Sequence, residues 1–150
     1  TPLYGVAFSL DEQTLPGMGD AALGIENSTF WTADMDNPTS RAFVAHFEAA
    51  YHRRPSIFAA LAMDGFMLID SAVRAVDGHV ERADDFRRAL EAAKFSSVRG
   101  NFRFNTNHFP IQDLHLAQIE RDPSGAIVNA YRQRIVEGHA DSYAAQCKMP

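Results

Sequence analysis

The apolar positions of this chain change period along its length, and each change marks a new element. Leu3-Tyr4-Gly5-Val6 reads as a short strand. Ser9 with Glu12 three residues on is a capping-box pattern, so a short helix is expected from Ser9, stopped by Pro16, Gly17 and Gly19. Ala21 to Trp31 predicts a second strand with Leu23, Ile25 and Phe30 as its apolar content, and residues 34–38 a loop. Asn37-Pro38 then opens a helix, an Asn cap with Pro in the first turn. Phe43, Val44, Phe47 and Tyr51 give it one apolar stripe. Arg53 and Arg54 are expected in its last turn, where cations suit the helix dipole, with Pro55 ending it.

From about Ser56 to Val76 the chain predicts a longer helix, closed by Asp77-Gly78. Between Ile57 and Ile69 it is apolar almost all the way round, the pattern of a buried helix, yet Asp64 stands in the middle. Phe86, Ala89, Leu90 and Ala93 mark a third helix with Asp84 and Asp85 near its start. The period then becomes two. Val98, Gly100, Phe102 and Phe104 alternate with Arg99, Asn101, Arg103 and Asn105, which predicts a half-buried strand. Leu114 and Leu116 begin another, reaching Arg121. Asp122-Pro123-Ser124-Gly125 is a turn, because Pro presets φ and Gly accepts a left-handed position. Ile127 to Arg132 returns as the second arm of a hairpin, and a short helix covers residues 141–146. The order βαβ, helices, strands implies an open α/β sheet with late antiparallel additions.

Composition narrows the classes. Apolar residues make up 46% and charged residues 22%, which argues against disorder for most of the 150 residues. The net charge is −5 and no basic block interleaves with aromatics, so nucleic acid is not an expected partner. The longest apolar run is interrupted by Asp64 and falls short of a bilayer span. Thr1-Pro2-Leu3-Tyr4-Gly5 reads like the interior of a longer protein, so the chain is expected to be a fragment.

Candidate chemistry is sparse. None of the six histidines forms an HExxH pair or has carboxylates spaced to complete a metal site. No G-x-S-x-G elbow, GxGxxG or P-loop is present. Helix-start and loop chemistry account for Asp84-Asp85 and for Asp34 with Asp36. Cys147, the one cysteine, excludes a paired-cysteine zinc cluster and an internal disulfide; adjacent Lys148 is weak support for a reactive thiol. No catalytic residue, metal or cofactor is therefore assigned.

Aromatic residues at element ends are the unusual feature. Phe8 follows the first strand, Phe30-Trp31 closes the second, and Phe58 opens the long helix. Ligands of open α/β folds gather at such junctions, although each ring taken singly fits a core as well. Asp64 has two readings. A buried carboxylate must be paired or hydrogen-bonded, so it ties the helix to a neighbouring backbone NH, hydroxyl or basic side chain. Contact with a ligand is the alternative, disfavoured because Asp64 lies about 9 Å along the axis from Phe58.

"PLYG", "AALGIENSTFW", "DNPTSRAFVAHFEAAYHRRPSIFAALAMDGFMLIDSAV", "SSVRGNFRFNTNHFPIQDLHLAQIERDPSGAIVNAYRQRIV" and "YAAQCKMP", in this order, resemble the C-terminal part of type I periplasmic solute-binding proteins of ABC importers. The likeness is to the branched-chain amino acid type, and within it to a subgroup associated with aromatic acids. It implies two Rossmann-like α/β lobes joined by three crossing segments and closing over a ligand. Residues 1–23 would end the second lobe, 24–112 would belong to the first, and 113–150 would supply hinge strands and a last second-lobe segment. Sheets left incomplete would have open edges, so a homodimer is a possible partner arrangement.

Carried over position by position, the resemblance places the loop after Leu3-Tyr4-Gly5 at the cleft. Relatives that hold an amino group carry a polar or acidic residue there. This loop reads Val6-Ala7-Phe8, with no acid until Asp11. The start of the helix at Ser56-Ile57-Phe58-Ala59-Ala60 also lines the cleft. The expected ligand-binding residues are thus Ala7, Phe8, Phe58 and Ala59, and the expected ligand a small aromatic or related hydrophobic organic acid. The resemblance also implies a periplasmic location, partnership with ABC permease subunits, and no enzymatic activity. The alternatives are branched-chain amino acid binding, or a ligand-sensing domain of a receptor or regulator with the same fold.

Overall fold

The computed structural model describes residues 2–147 and 149. Two side-chain caps set the long helices. Asn37 accepts from the Thr39 amide at 2.9 Å and opens α2, Pro38–Tyr51, with Pro38 in its first turn. Ser56 accepts from the Ala59 amide at 3.3 Å and opens α3, Ile57–Ala75. Both starts are where the sequence places them.

The strands form one five-stranded sheet. β1 (Tyr4–Val6) runs parallel to β2 (Glu26–Thr29), which pairs antiparallel with β4 (Pro110–Arg121). β3 (Phe102–Phe104) and β5 (Ile127–His139) are also antiparallel to β4. Gln118 pairs with both Glu26 and Ala130, and Gln112 with both Phe102 and His139. β2 and β3 therefore share one edge of β4, end to end, while β5 occupies the other. Along β4, Asp113, His115, Ala117 and Ile119 are buried and the residues between them half-buried.

Several boundaries differ from expectation. No helix starts at Ser9. The chain makes a 3-10 turn over Ala7–Ser9, and α1 begins only at Leu15, reaching Met18. Its start is fixed by the Asp11 carbonyl, which accepts from the Thr14 and Leu15 amides at 2.8 and 3.0 Å. Pro16 thus sits inside the first turn of α1, where its missing N–H costs nothing, instead of stopping a helix. Residues 19–22 form a second 3-10 turn, so β2 is four residues long and not the eleven expected. Helix α2 ends at Tyr51 because His52 adopts a left-handed conformation at φ 53°, which leaves Arg53 and Arg54 beyond it. Arg54 instead reaches Asp122 in the hairpin turn at 3.4 Å. The expected strand from Val98 begins only at Phe102, since Gly100, at φ +85°, turns the chain back and its amide donates to the Ser97 carbonyl at 3.1 Å. β4 begins earlier, at Pro110, since Pro is tolerated as a strand's first residue. β5 runs seven residues further, to His139; residues 132–139 are all exposed and so carry no alternation to read. The turn at 122–125 is as expected, and α4, Ala83–Glu91, carries Asp84 and Asp85 in its first turn. The last helix is a 3-10 turn over Ala144–Gln146.

Helix α3 is not buried all round. Ile57, Ala60, Asp64 and Ala72 face inward, while Phe58, Phe66 and Ile69 are exposed. Its inner face joins Ala7, Trp31, Ala33, Met35 and Val98 in the main core cluster. A second cluster, Leu10, Leu15, Ala22 and Ile119, lies under α1.

Asp64 fastens α3 to residues 97–99, the segment that leads into β3. Its Oδ1 accepts from the Val98 amide at 2.8 Å; its Oδ2 accepts from Ser97 Oγ and Arg99 Nε, both at 2.6 Å. A backbone NH, a hydroxyl and a basic side chain hold it, and the structural reading of Asp64 is correct. Arg99 continues the chain of contacts, donating to Gln112 Oε1 of β4 at 2.7 Å with the Phe102 ring 4.4 Å from its guanidinium carbon. From the other side Asn37 donates to the Ser97 and Val98 carbonyls at 3.1 and 3.0 Å.

Asp64→Ala should cost about 3–5 kcal/mol, because it strands the Arg99 guanidinium and two further donors in the interior. The check is the urea midpoint at unchanged m-value, and a loss below about 1 kcal/mol would contradict this role for Asp64.

His115 makes a second, pH-dependent prediction. Both ring nitrogens are buried without a hydrogen-bond partner, and the ring packs on Tyr131 at 5.5 Å. Burial pushes its pKa below the usual histidine range; nearby Asp113 pulls it upward, and Arg134 lowers it further. The folded protein therefore holds this proton less tightly than the unfolded chain. The stability due to His115 is complete above about pH 6.5 and is lost as pH falls from there through the folded value. Stability curves of the protein and of His115→Gln should accordingly converge between pH 7.5 and 5, and a gap constant over that range would rule the effect out.

Candidate functional site at the start of the long helix

The loop after β1 and the first turn of α3 meet beside β2. Ala7 is buried beneath them, in the cluster with Trp31 and Ile57. Phe8, the next residue, points the other way and is 51% exposed, as is Phe58. The two rings stack with centroids 5.4 Å apart at 28°. Phe30, at the end of β2, meets Phe8 edge-on at 5.8 Å and lies 5.7 Å from the Arg99 guanidinium. Ala59 is half-buried behind Phe58. Of the four expected residues, Phe8 and Phe58 are in contact and form an open aromatic wall, Ala59 flanks it, and the Ala7 side chain belongs to the core.

The loop is placed by close packing and by one acid. A Cβ on Gly5 would lie 2.3 Å from Leu10 Cδ1, so a larger residue there would push the buried Leu10 side chain out of its place against β1. Asp11 is 2% exposed. Its Oδ1 accepts from the Gln13 amide at 2.9 Å and its Oδ2 from the Ile57 amide at 3.2 Å. Gln13 Nε2 adds a bond to Ser56 Oγ at 3.3 Å. Phe30 and Asp11 complete the site but were not among the expected residues. Phe30 was visible as an aromatic at a strand end; the role of Asp11 depends on a partner 46 residues away, which no local pattern carries.

A concavity of about 720 Å³ lies elsewhere, between the α2–α3 connection and the hairpin turn, and none of the four expected residues lines it. Glu12, on its wall, is held above the usual carboxylate range by burial, although bonds from Asn129 and its own backbone pull it down. Among the described residues no three His, Cys, Asp or Glu side chains gather as metal ligands, and no helix is long and apolar enough to cross a membrane. Cys147 is exposed; Lys148, considered beside it, lies outside the described residues.

A model of the periplasmic binding protein family matches residues 2–126. The chain belongs to that family. Solved structures agree. A solute-binding protein of an ABC transporter from R. palustris, in complex with benzoate, is 34% identical with a TM-score of 0.85 over 99% of this chain and 39% of its own. An ABC transporter substrate-binding protein from Sphaerobacter thermophilus is 33% identical, TM-score 0.84, over 91% of this chain and 38% of its own. A further solute-binding protein, from Rhodopseudomonas palustris BisB5 in complex with 3,4-dihydroxy benzoic acid, is 25% identical, TM-score 0.78, over 94% and 38%. The periplasmic binding protein family member described here thus spans about two fifths of these relatives' length, and its fold is the mixed α/β, type I arrangement expected from sequence. Comparison with curated proteins finds no match.

Exposure separates neighbouring residues of α3. Phe58→Ala, at a half-open ring, should cost about 0.5–1.5 kcal/mol, whereas Ile57→Ala, 3% exposed, should cost about 2–5 kcal/mol. Denaturant melts of the two variants read the difference, and equal losses would mean that Phe58 is a core residue.

Proposed function

We propose that this chain is part of the extracytoplasmic solute-binding component of an ABC importer, one that takes a small aromatic acid between two lobes. The observation that carries the reading is the Phe8–Phe58 pair, two stacked rings each half open to solvent and flanked by Phe30. An aromatic ring gains about 0.5–1.5 kcal/mol from such geometry beyond its buried area. The nearest loop acid offers nothing to an ammonium group, because Asp11 is buried with both oxygens bonded internally. Likeness to a benzoate-bound relative over 99% of the chain points the same way.

Residues 1–23, expected to end the second lobe, share a sheet and a core with 24–112, since β1 pairs with β2 and Ala7 packs with Ile57; in this reading both segments build one lobe, and 113–150 supply hinge strands and a last second-lobe segment. Phe8 and Phe58, flanked by Ala59 and backed by the buried Ala7, form one wall of the cleft and the opposite wall comes from the remainder of the protein. Ligand bridges both walls only in the closed form, so binding shifts the open–closed equilibrium toward closure. The closed form then docks on the permease at the periplasmic face of the membrane, and the work done is capture without chemical turnover. β1 pairs only with β2 among the described residues, so its outer edge is where a second copy or a further strand would add.

In a thermal-shift series on the full-length protein, benzoate should raise the melting temperature and leucine should not. Phe8→Ala and Phe58→Ala should each weaken benzoate binding by about three- to tenfold. Stabilisation by leucine alone would replace this reading with amino acid binding, and stabilisation by neither would remove it.

A further inference from the structure

Phe8 and Phe58 lie on segments 50 residues apart, and a stack of two half-exposed rings is a weak link between them. A stronger one runs underneath. Asp11, three residues after Phe8, sends Oδ2 to the Ile57 amide, the residue before Phe58. That amide is the first of α3, one of the four that a helix leaves unsatisfied. The other oxygen closes a turn on the Gln13 amide, and the Asp11 carbonyl starts α1. These bonds restrain Asp11 at both oxygens and its carbonyl, and with it the short loop that leads from Phe8. The neighbouring Gln13–Ser56 bond ties the same two segments a second time. With Ser56 Oγ on the Ala59 amide and Asp11 on the Ile57 amide, internal oxygens hold both of these α3 amides.

We propose that Asp11 is the positioning residue of the aromatic wall: by accepting from the first amide of α3 it locks the Phe8 loop to the helix carrying Phe58 and so fixes the ring pair on which a planar aromatic acid stacks. The selection of such a ligand rests on the functional reading above; the lock itself does not.

The experiment compares the full-length protein with Asp11→Ala and Asp11→Asn, by NMR and by benzoate titration. In Asp11→Ala the Phe8–Phe58 ring cross-peak should vanish and exchange of the Ile57 amide should quicken about tenfold, while the Trp31–Phe43 ring contact of the core persists. Benzoate affinity should fall about tenfold. Asp11→Asn, whose one oxygen can serve the Ile57 amide while its NH2 faces the Gln13 amide, should recover all three readouts in part, to values clearly better than those of the Ala variant. If Asp11→Ala does not fold, Asp11→Ser takes its place, since the shorter hydroxyl keeps the local turn and falls short of Ile57. A cross-peak and Ile57 protection unchanged in the Ala or Ser variant would overturn the proposal, as would an Asn variant no better than Ala, or joint loss of the Trp31–Phe43 contact. Failure of benzoate to bind the unsubstituted protein would defeat the functional reading, and the ring cross-peak and amide exchange would still decide the role of Asp11.

Discussion

A carboxylate in the middle of an apolar helix is the constraint on which this arrangement depends. Asp64 takes donors from three consecutive residues, Ser97, Val98 and Arg99, on a segment that leads directly into β3. Burying that charge is unfavourable by several kcal/mol unless every lone pair is met, and here the ion pair is reinforced by a backbone amide and a hydroxyl. Such an arrangement tolerates little displacement. A slip of α3 by one residue would move the carboxylate about 1.5 Å along the axis and turn it by about 100°, away from all three donors. The apolar residues around it could not enforce this alone, since Ala, Leu and Met positions repack readily.

Fixing α3 fixes its ends. Arg99 passes the constraint to Gln112 on β4, so the helix is set relative to the sheet as well as to the loop. Its N-terminus then falls beside the end of β1, where the Asp11 and Gln13 side chains meet Ile57 and Ser56. The aromatic pair forms at this junction because Ala7 fills the core and the backbone turn that buries it throws Phe8 outward. Adjacent residues thus take opposite duties, one in packing and one at the surface, and the same division separates Ile57 from Phe58 at the start of α3.

Local chemistry was legible in the sequence where the chain answers to its neighbours. The cap at Asn37 and the turn at Asp122–Gly125 are short-range hydrogen-bond patterns, and each lies where its residues place it. Ser9 with Glu12 satisfies the same pattern without forming a helix, because the Asp11 carbonyl captures the Thr14 and Leu15 amides first and moves the start of α1 to Leu15. Alternation misled at Gly100, whose left-handed backbone reverses a run that otherwise reads as continuous strand. It was silent over residues 132–139, where β5 is exposed on both faces and pairs with β4 through its backbone. The all-round apolarity of α3 implied burial on every side, but the core lies along one face and Phe58, Phe66 and Ile69 stand outside it.

The same distinction explains why half of the candidate site could be found in advance. Phe8 and Phe58 are conspicuous as large apolar residues at element ends, so position and type were enough to single them out. Asp11 and Asp64 look alike as isolated acids near apolar sequence, and nothing local tells a ligand-facing acid from an internal one. Their partners decide it: each holds donors from a segment more than thirty residues away, and each has both oxygens bonded. With these two acids turned inward, the outward surface at the start of α3 presents rings without a competing carboxylate. In the proposed reading a flat apolar ring stacks on this surface, since neither aspartate leaves an acceptor free for an ammonium group.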